Sequence, residues 1–201
     1  MSASMVDVER AVELLDAGGV VAVPTDTVYG LAASVADADA VARLFELKRR
    51  PSTTALPVLV DSINQIHRLG VEWLLPAQRL SDGFWPGALT IVVHVPRALA
   101  DRVGSQSETA GFRLPDDEVL RRILERTGPL VVSSANGHGE APCHSADEVV
   151  ERLGDRPHLL GVVDDGERAG VPSTVVDVSH SPWRIVREGA LTLGVISAVL
   201  G

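Results

Sequence analysis

The chain has 201 residues, a formal net charge of −9, 45% hydrophobic residues and 22% charged residues. That length can bury a substantial core, and that composition excludes a disordered chain. The acidic balance excludes a broad nucleic-acid-binding face, which needs clustered Lys and Arg, but leaves room for a local cluster such as Lys48-Arg49-Arg50. A single cysteine, Cys143, excludes an internal disulfide and fits a reducing compartment. The first residues are acidic where a signal peptide is basic and then apolar. No apolar run approaches the roughly 20 residues of a membrane span. A cytoplasmic protein without membrane contact is expected.

Val8, Ala11, Val12 and Leu15 recur at helical spacing, and Gly18-Gly19 supplies a stop. Residues 20–23, all apolar, read as a buried strand that ends at Pro24, followed by Thr25-Asp26-Thr27 and Val28-Tyr29-Gly30-Leu31. Asp37 or Asp39 caps a second helix with Val41, Leu44 and Phe45 on its apolar face. Lys48 falls in its last turn, where a cation suits the helix dipole. Residues 55–60 read as a strand, 61–69 and 72–80 as helices, and SDGFWPG as a turn leading into a strand at 88–95. Residues 97–106 form a loop or short helix. A short strand at 110–114 precedes a helix capped by Asp116, which Gly128-Pro129 breaks. A strand at 130–132 runs into Ser133-Ser134-Ala135-Asn136-Gly137, and Ser145 caps a helix over 146–153. Short strands near 160–163, 173–178 and 183–186 and a helix from Val195 complete the pattern. Interleaved strands and helices give an α/β class, and the hairpin-like end makes part of the sheet antiparallel. No repeat or linker divides residues 1–201, so a single domain is expected.

No GxxxxGK[ST], GxGxxG or GxSxG occurs, which removes the P-loop, the dinucleotide fingerprint and the nucleophile elbow. Cys143-His144 lacks a second ligand pair at metal-site spacing, so no metal site is expected. The remaining signal lies at strand ends. Thr25-Asp26-Thr27, Arg113, Ser133-Ser134-Ala135-Asn136 and Ser173-Thr174 each follow or end an apolar run, and Arg187 ends another. Hydroxyls and arginines at strand ends, with Lys48-Arg49-Arg50 at a helix end, suit a small anionic ligand, since open α/β sheets bind ligands there.

The series PTDTVYGL, K-x-R-P, FWPGALT, FRLPD, SSANGHG, STVVD and R-x-G, in this order from Val20 to Gly189, resembles the YrdC/TsaC family of L-threonylcarbamoyladenylate synthases. The pattern is similar to the short form of the family, without the extra C-terminal domain of the long form. The resemblance implies a twisted mixed parallel and antiparallel sheet flanked by helices, with a concave, locally basic cavity. It implies a nucleotidyltransferase that joins L-threonine, bicarbonate and ATP into L-threonylcarbamoyladenylate and releases pyrophosphate. Partner proteins then carry the threonylcarbamoyl group to the adenosine next to the anticodon of certain tRNAs. Mg²⁺ is expected to travel with ATP, and no tightly bound cofactor is implied. Weak direct contact with tRNA or double-stranded RNA is a further expectation. The alternative is an RNA-binding YrdC-like module without synthase activity, disfavoured by acidity and by the 3% aromatic content.

Carried over by position, Lys48 and Arg50 take the catalytic, phosphate-binding role. Thr27, Tyr29, Arg113, Ser134 and Ser173 lie on the L-threonine side, with Arg113 on the carboxylate. Thr54, Thr109, Asn136, His144 and Arg187 join Lys48 and Arg50 on the ATP side. The sequence departs from the family at Leu59, where many members have histidine. It departs also at Thr54 in place of asparagine, and at Gly137-His138-Gly139 and His144 in place of S-G and a later threonine. The reaction needs no general base at Asp26, which therefore receives no role.

Overall fold

The computed structural model describes residues 3–49, 55–137, 139–168 and 170–201. Among these, ten strands form one continuous sheet. The strands are β1 (Ser4–Val6), β2 (Val20–Val23), β3 (Gly30–Ser34), β4 (Val58–Leu59), β5 (Leu89–His94), β6 (Thr109–Arg113), β7 (Leu130–Ser134), β8 (Leu159–Val163), β9 (Thr174–Asp177) and β10 (Arg184–Arg187). The spatial order is β1-β8-β2-β3-β7-β4-β6-β5-β9-β10. The expected mixed sheet is present: β2 is parallel to β8 but antiparallel to β3, and β5 is parallel to β9 but antiparallel to β6. The expected antiparallel end is the β9–β10 pair.

Period-two alternation distributes the core over both faces. Val21 and Val23 of β2 pack on one face with Ala11, Val12 and Leu15 of α1 (Val8–Asp16) and Leu120, Ile123 and Leu124 of α6 (Glu118–Thr127). Val20 and Ala22 face the opposite cluster. That cluster is built on α2 (Ala38–Lys48), α3 (Ile63–Arg68), α4 (Leu75–Phe84), α5 (Arg97–Val103), α7 (Ala146–Leu153) and α8 (Leu193–Leu200). No helix among the described residues is long and apolar enough to cross a membrane.

Several boundaries differ from the sequence expectation, each for a local reason. Strands β1 and β3 were not anticipated. The GLAAS sequence of β3 lacks the β-branched and aromatic residues that signal a strand, yet it is enclosed by β2 and β7 and almost wholly buried. Gly30 allows the close approach, because a Cβ there would lie 2.5 Å from Val132 Cγ1. The strand expected at 55–60 shrinks to β4; Pro57 has no N–H to give, although its carbonyl accepts from Val132 N at 3.0 Å. Helix α4 begins at Leu75 with a proline in its first turn, a favoured position, and runs through the SDGF stretch expected to turn. Helix α8 begins at Leu193, ahead of Val195. The cap of α2 is Asp37, and that of α6 is Asp117 rather than Asp116, its Oδ1 accepting from Leu120 N at 2.8 Å. Two adjacent acids read alike in sequence; only the backbone direction selects one.

Candidate active site

The strand ends open on a cavity of about 600 Å³. It is lined by the 25–30 turn, the ends of β6 and β7, and residues from β5, β9 and β10, among them Thr27, Tyr29, Thr90, Thr109, Arg113, Ser134, Asn136, Glu140, Ser173 and Arg187. Eight residues assigned from sequence therefore meet at one place: Thr27, Tyr29, Thr109, Arg113, Ser134, Asn136, Ser173 and Arg187. Lys48 and His144 are outside the lining, and Arg50 and Thr54 lie outside the described residues.

The turn after β2 is organised by Thr25. Its Oγ1 donates to Val28 O at 2.7 Å and accepts from Thr27 N at 3.1 Å and Val28 N at 3.2 Å. The Thr27 hydroxyl lies 3.0 Å from Thr25 Oγ1 and accepts from Arg113 Nη1 at 3.3 Å. Arg113, at the end of β6, donates Nε to Gly87 O at 3.0 Å and Nη2 to Asp26 Oδ1 at 2.5 Å. The Arg113 and Asp26 side chains are only 7% and 13% exposed, so solvent screens this pair weakly. Asp26, given no role from sequence, thus fixes the guanidinium. A guanidinium carries five N–H donors. These three bonds occupy three and leave two for a ligand carboxylate.

Arg187 lines the same cavity as Arg113. It donates Nη2 to Ser173 O at 2.7 Å and to Ser173 Oγ at 3.1 Å. Burial pushes its pKa down, and the like charge of Arg113 adds to the effect. An anion bound near both guanidiniums would relieve this like-charge repulsion. The Ser173 hydroxyl also lies 3.0 Å from Thr90 Oγ1. Thr90 is buried and lines the cavity, but its position inside the apolar run of β5 gave no reason to single it out.

Lys48, outside the lining, is buried and bonded at the end of β7 and just beyond it. Its ammonium donates to Ser134 O, and to Asn136 O and Asn136 Oδ1 at 3.0 Å each. Asn136 Oδ1 also accepts from Ser134 Oγ at 2.5 Å, and Asn136 Nδ2 donates to Glu140 O at 2.6 Å. Lys48 therefore orders the Ser134–Asn136 pair from behind. Glu140, the one carboxylate among the lining residues, accepts from Gly137 N at 3.1 Å. That bond, helped by Arg152 and Arg156, holds its pKa below the usual carboxylate value.

Tyr29 lines the cavity, and its phenol is held from outside it. Its side chain is fully buried, and its hydroxyl donates to Gly166 O at 2.9 Å and accepts from Asp165 N at 3.2 Å. The phenol thus ties β3 to the 164–166 segment and shapes the wall. Thr109 presents its hydroxyl 3.0 Å from Ser107 Oγ at the rim. His144 donates Nδ1 to Arg168 O at 2.5 Å. Leu59 is buried, as an apolar replacement requires.

The Sua5_yciO_yrdC family model, described as "Telomere recombination", matches residues 13–189. The chain belongs to the Sua5/YciO/YrdC family. Within this family it is 36% identical over 197 residues to threonylcarbamoyl-AMP synthase of Bacillus subtilis, covering 96% of this chain and 56% of that protein. It is 30% identical to threonylcarbamoyl-AMP synthase of Vibrio campbellii, over 92% of this chain and 100% of that protein. The Pyrococcus abyssi Sua5 structure complexed with L-threonine superposes with a TM-score of 0.88 at 33% identity, over 100% of this chain and 61% of that one. The chain thus spans a little over half the length of the Bacillus relative.

Proposed function

We propose that this chain makes L-threonylcarbamoyladenylate from L-threonine, bicarbonate and ATP, releasing pyrophosphate. The observation that carries the proposal is the Arg113 guanidinium, fixed by Asp26, Thr27 and Gly87 through three of its five N–H groups, in a cavity that Arg187 also lines. The remaining pair of donors suits an amino-acid carboxylate, which binds end-on to a guanidinium. Names among the relatives, and the L-threonine in the P. abyssi complex, agree with this choice of substrate.

Chemically, the threonine amine takes up CO₂ or bicarbonate to give a carbamate. A carbamate oxygen attacks the α-phosphorus of ATP, and pyrophosphate leaves. No step calls for a covalent protein nucleophile, so the protein acts by placement and by stabilising phosphate charge. Arg113 and the Thr27 hydroxyl hold the amino acid. Arg187 lies toward the nucleotide, with the Ser134–Asn136 pair between the two substrates and Lys48 supplying charge behind it. Each charge-assisted hydrogen bond is worth roughly 1.5–3 kcal/mol. Glu140 is already engaged by Gly137, a donor set that suits Mg²⁺ arriving on the triphosphate oxygens better than a resident ion. Arg50, Thr54, Thr109 and His144 complete the nucleotide side in this proposal. Cytoplasmic partner proteins that transfer the threonylcarbamoyl group to tRNA would consume the product.

The test is pyrophosphate release by purified protein with Mg²⁺. Release that requires both L-threonine and bicarbonate is expected. Absence of threonine-dependent release, or salt-sensitive RNA binding without ATP turnover, sinks the synthase reading.

A further inference from the structure

One segment that takes no part in this chemistry is bonded directly to the Thr25–Tyr29 turn. After β8, Asp165, Gly166, Arg168 and Gly170 bond to the 25–29 turn. Gly170 N donates to Thr27 O at 2.9 Å, and a Cβ on Gly170 would lie 2.5 Å from both Thr27 Cα and Thr27 O. Arg168 anchors the segment. Its Nε donates to Thr25 O at 2.8 Å, and its Nη2 donates to Asp117 Oδ2 at 2.9 Å and Asp165 Oδ2 at 2.5 Å. Its Nη1 donates to Asp165 O, and its backbone N to His144 O at 2.7 Å. The Arg168 and Asp117 side chains are 15% and 5% exposed. Arg168 is not among the cavity-lining residues, and its Nε and Nη2 are engaged by protein acceptors.

We propose that Arg168 is a positioning residue for the amino-acid side of the site: it clamps the Thr25 carbonyl to the capped start of α6 and thereby fixes the Thr27 hydroxyl. The reasoning follows the bonds. Asp117 is divided between two tasks, Oδ1 capping α6 through Leu120 N and Oδ2 receiving Arg168. The capped helix start holds the carboxylate, the carboxylate holds the Arg168 guanidinium, and the guanidinium holds the Thr25 carbonyl. Thr25 is the residue whose hydroxyl folds the turn, and Thr27 Oγ1 lies one bond further on, against Arg113. Only a planar fork spans three acceptors in different directions. Arg168 reaches Thr25 O through Nε and the two carboxylates through Nη2, whereas a lysine would have to draw all three acceptors to one nitrogen and so shift the turn or the helix start.

This inference rests on the proposed substrate, and the experiment separates the two. L-threonine and ATP binding are measured by calorimetry for the wild type, Arg168→Lys and Asp117→Asn, the last retaining a side-chain oxygen for the cap. Both variants are expected to weaken L-threonine roughly ten- to hundredfold, the scale of misplacing a site group by about 1 Å, while ATP stays within about twofold. Combining Arg168→Lys with Thr27→Ala is expected to add little further loss, because both act through one hydroxyl. Equal weakening of both ligands, or full additivity with Thr27→Ala, overturns the clamp. If the wild type binds no L-threonine, the substrate reading alone fails, and amide exchange decides the clamp. The Thr27 and Val28 amides must then exchange at least about tenfold faster in Arg168→Lys, with residues 21–23 unchanged. Unchanged exchange at Thr27 and Val28, or acceleration across the whole sheet, overturns it.

Discussion

Replacing Asp26 with asparagine tests how Arg113 is held. The substitution keeps the size and one oxygen of the side chain but removes the charge from a contact in which neither partner is more than 13% exposed. Deleting a partner of a buried ion pair costs about 3–5 kcal/mol, because the other charge is left uncompensated. The asparagine oxygen can still accept from Nη2, and Thr27 and Gly87 still hold the other two positions. The loss is therefore nearer the difference between a charged and a neutral hydrogen bond, about 1–2 kcal/mol. For a protein of this size that is a fall in Tm of roughly 2–8 °C. The same loss of orientation at the two remaining donors is expected to raise KM for L-threonine roughly tenfold, since about 1.4 kcal/mol is one decade. The KM for ATP is expected to stay nearly constant. The assays are thermal denaturation and threonine-dependent pyrophosphate release. The opposite result is informative: if Asp26 merely competes with the ligand carboxylate for Arg113, Asp26→Asn lowers the threonine KM. A KM that falls or does not change would refute the positioning role.

Two further substitutions probe the other walls. Lys48→Met removes a buried ammonium bonded to Ser134 O, Asn136 O and Asn136 Oδ1, and is expected to weaken ATP about tenfold or more while the far-ultraviolet dichroism is retained; unchanged nucleotide affinity by calorimetry would remove Lys48 from the site. Tyr29→Phe tests a pH dependence. Burial raises the Tyr29 pKa above its ordinary value of 10.0, so the folded protein retains the phenolic proton at pH values where the unfolded chain has lost it. Stability from this group is full below about pH 10 and is lost as pH rises through the folded pKa. Urea unfolding of wild type and Tyr29→Phe is expected to show a gap of about 1 kcal/mol at pH 8 that narrows above pH 10. A constant gap across that range contradicts the assignment.

The sequence was most informative where chemistry is local. Ser145 caps its helix as the residue order indicates, Asp37 is one of the two acids the sequence offered for α2, and Val20–Val23 is a buried strand because four apolar residues end at a proline. The strand-end hydroxyls and arginines were also visible, since Thr27, Arg113, Ser134, Ser173 and Arg187 each border an apolar run. Elements whose stability comes from neighbours were hidden. Strand β3 has a sequence of low strand propensity and exists because β2 and β7 satisfy its backbone on both sides. The SDGF stretch looked like a turn because Ser, Asp and Gly favour turns locally; within α4 they continue a helix whose contacts with α8 fix its length.

The sequence by itself determined the class of fold and most of the ligand-facing residue types, because periodicity and strand-end chemistry are properties of short stretches. Tertiary structure alone decided what those residues do to one another. Asp26 and Arg113 are 87 positions apart, and Lys48 and Asn136 are 88 apart. Arg168 reaches Thr25 across 143. Bonds over such separations depend on which strands lie side by side, and that order is set by the packing of the whole sheet rather than by any local pattern.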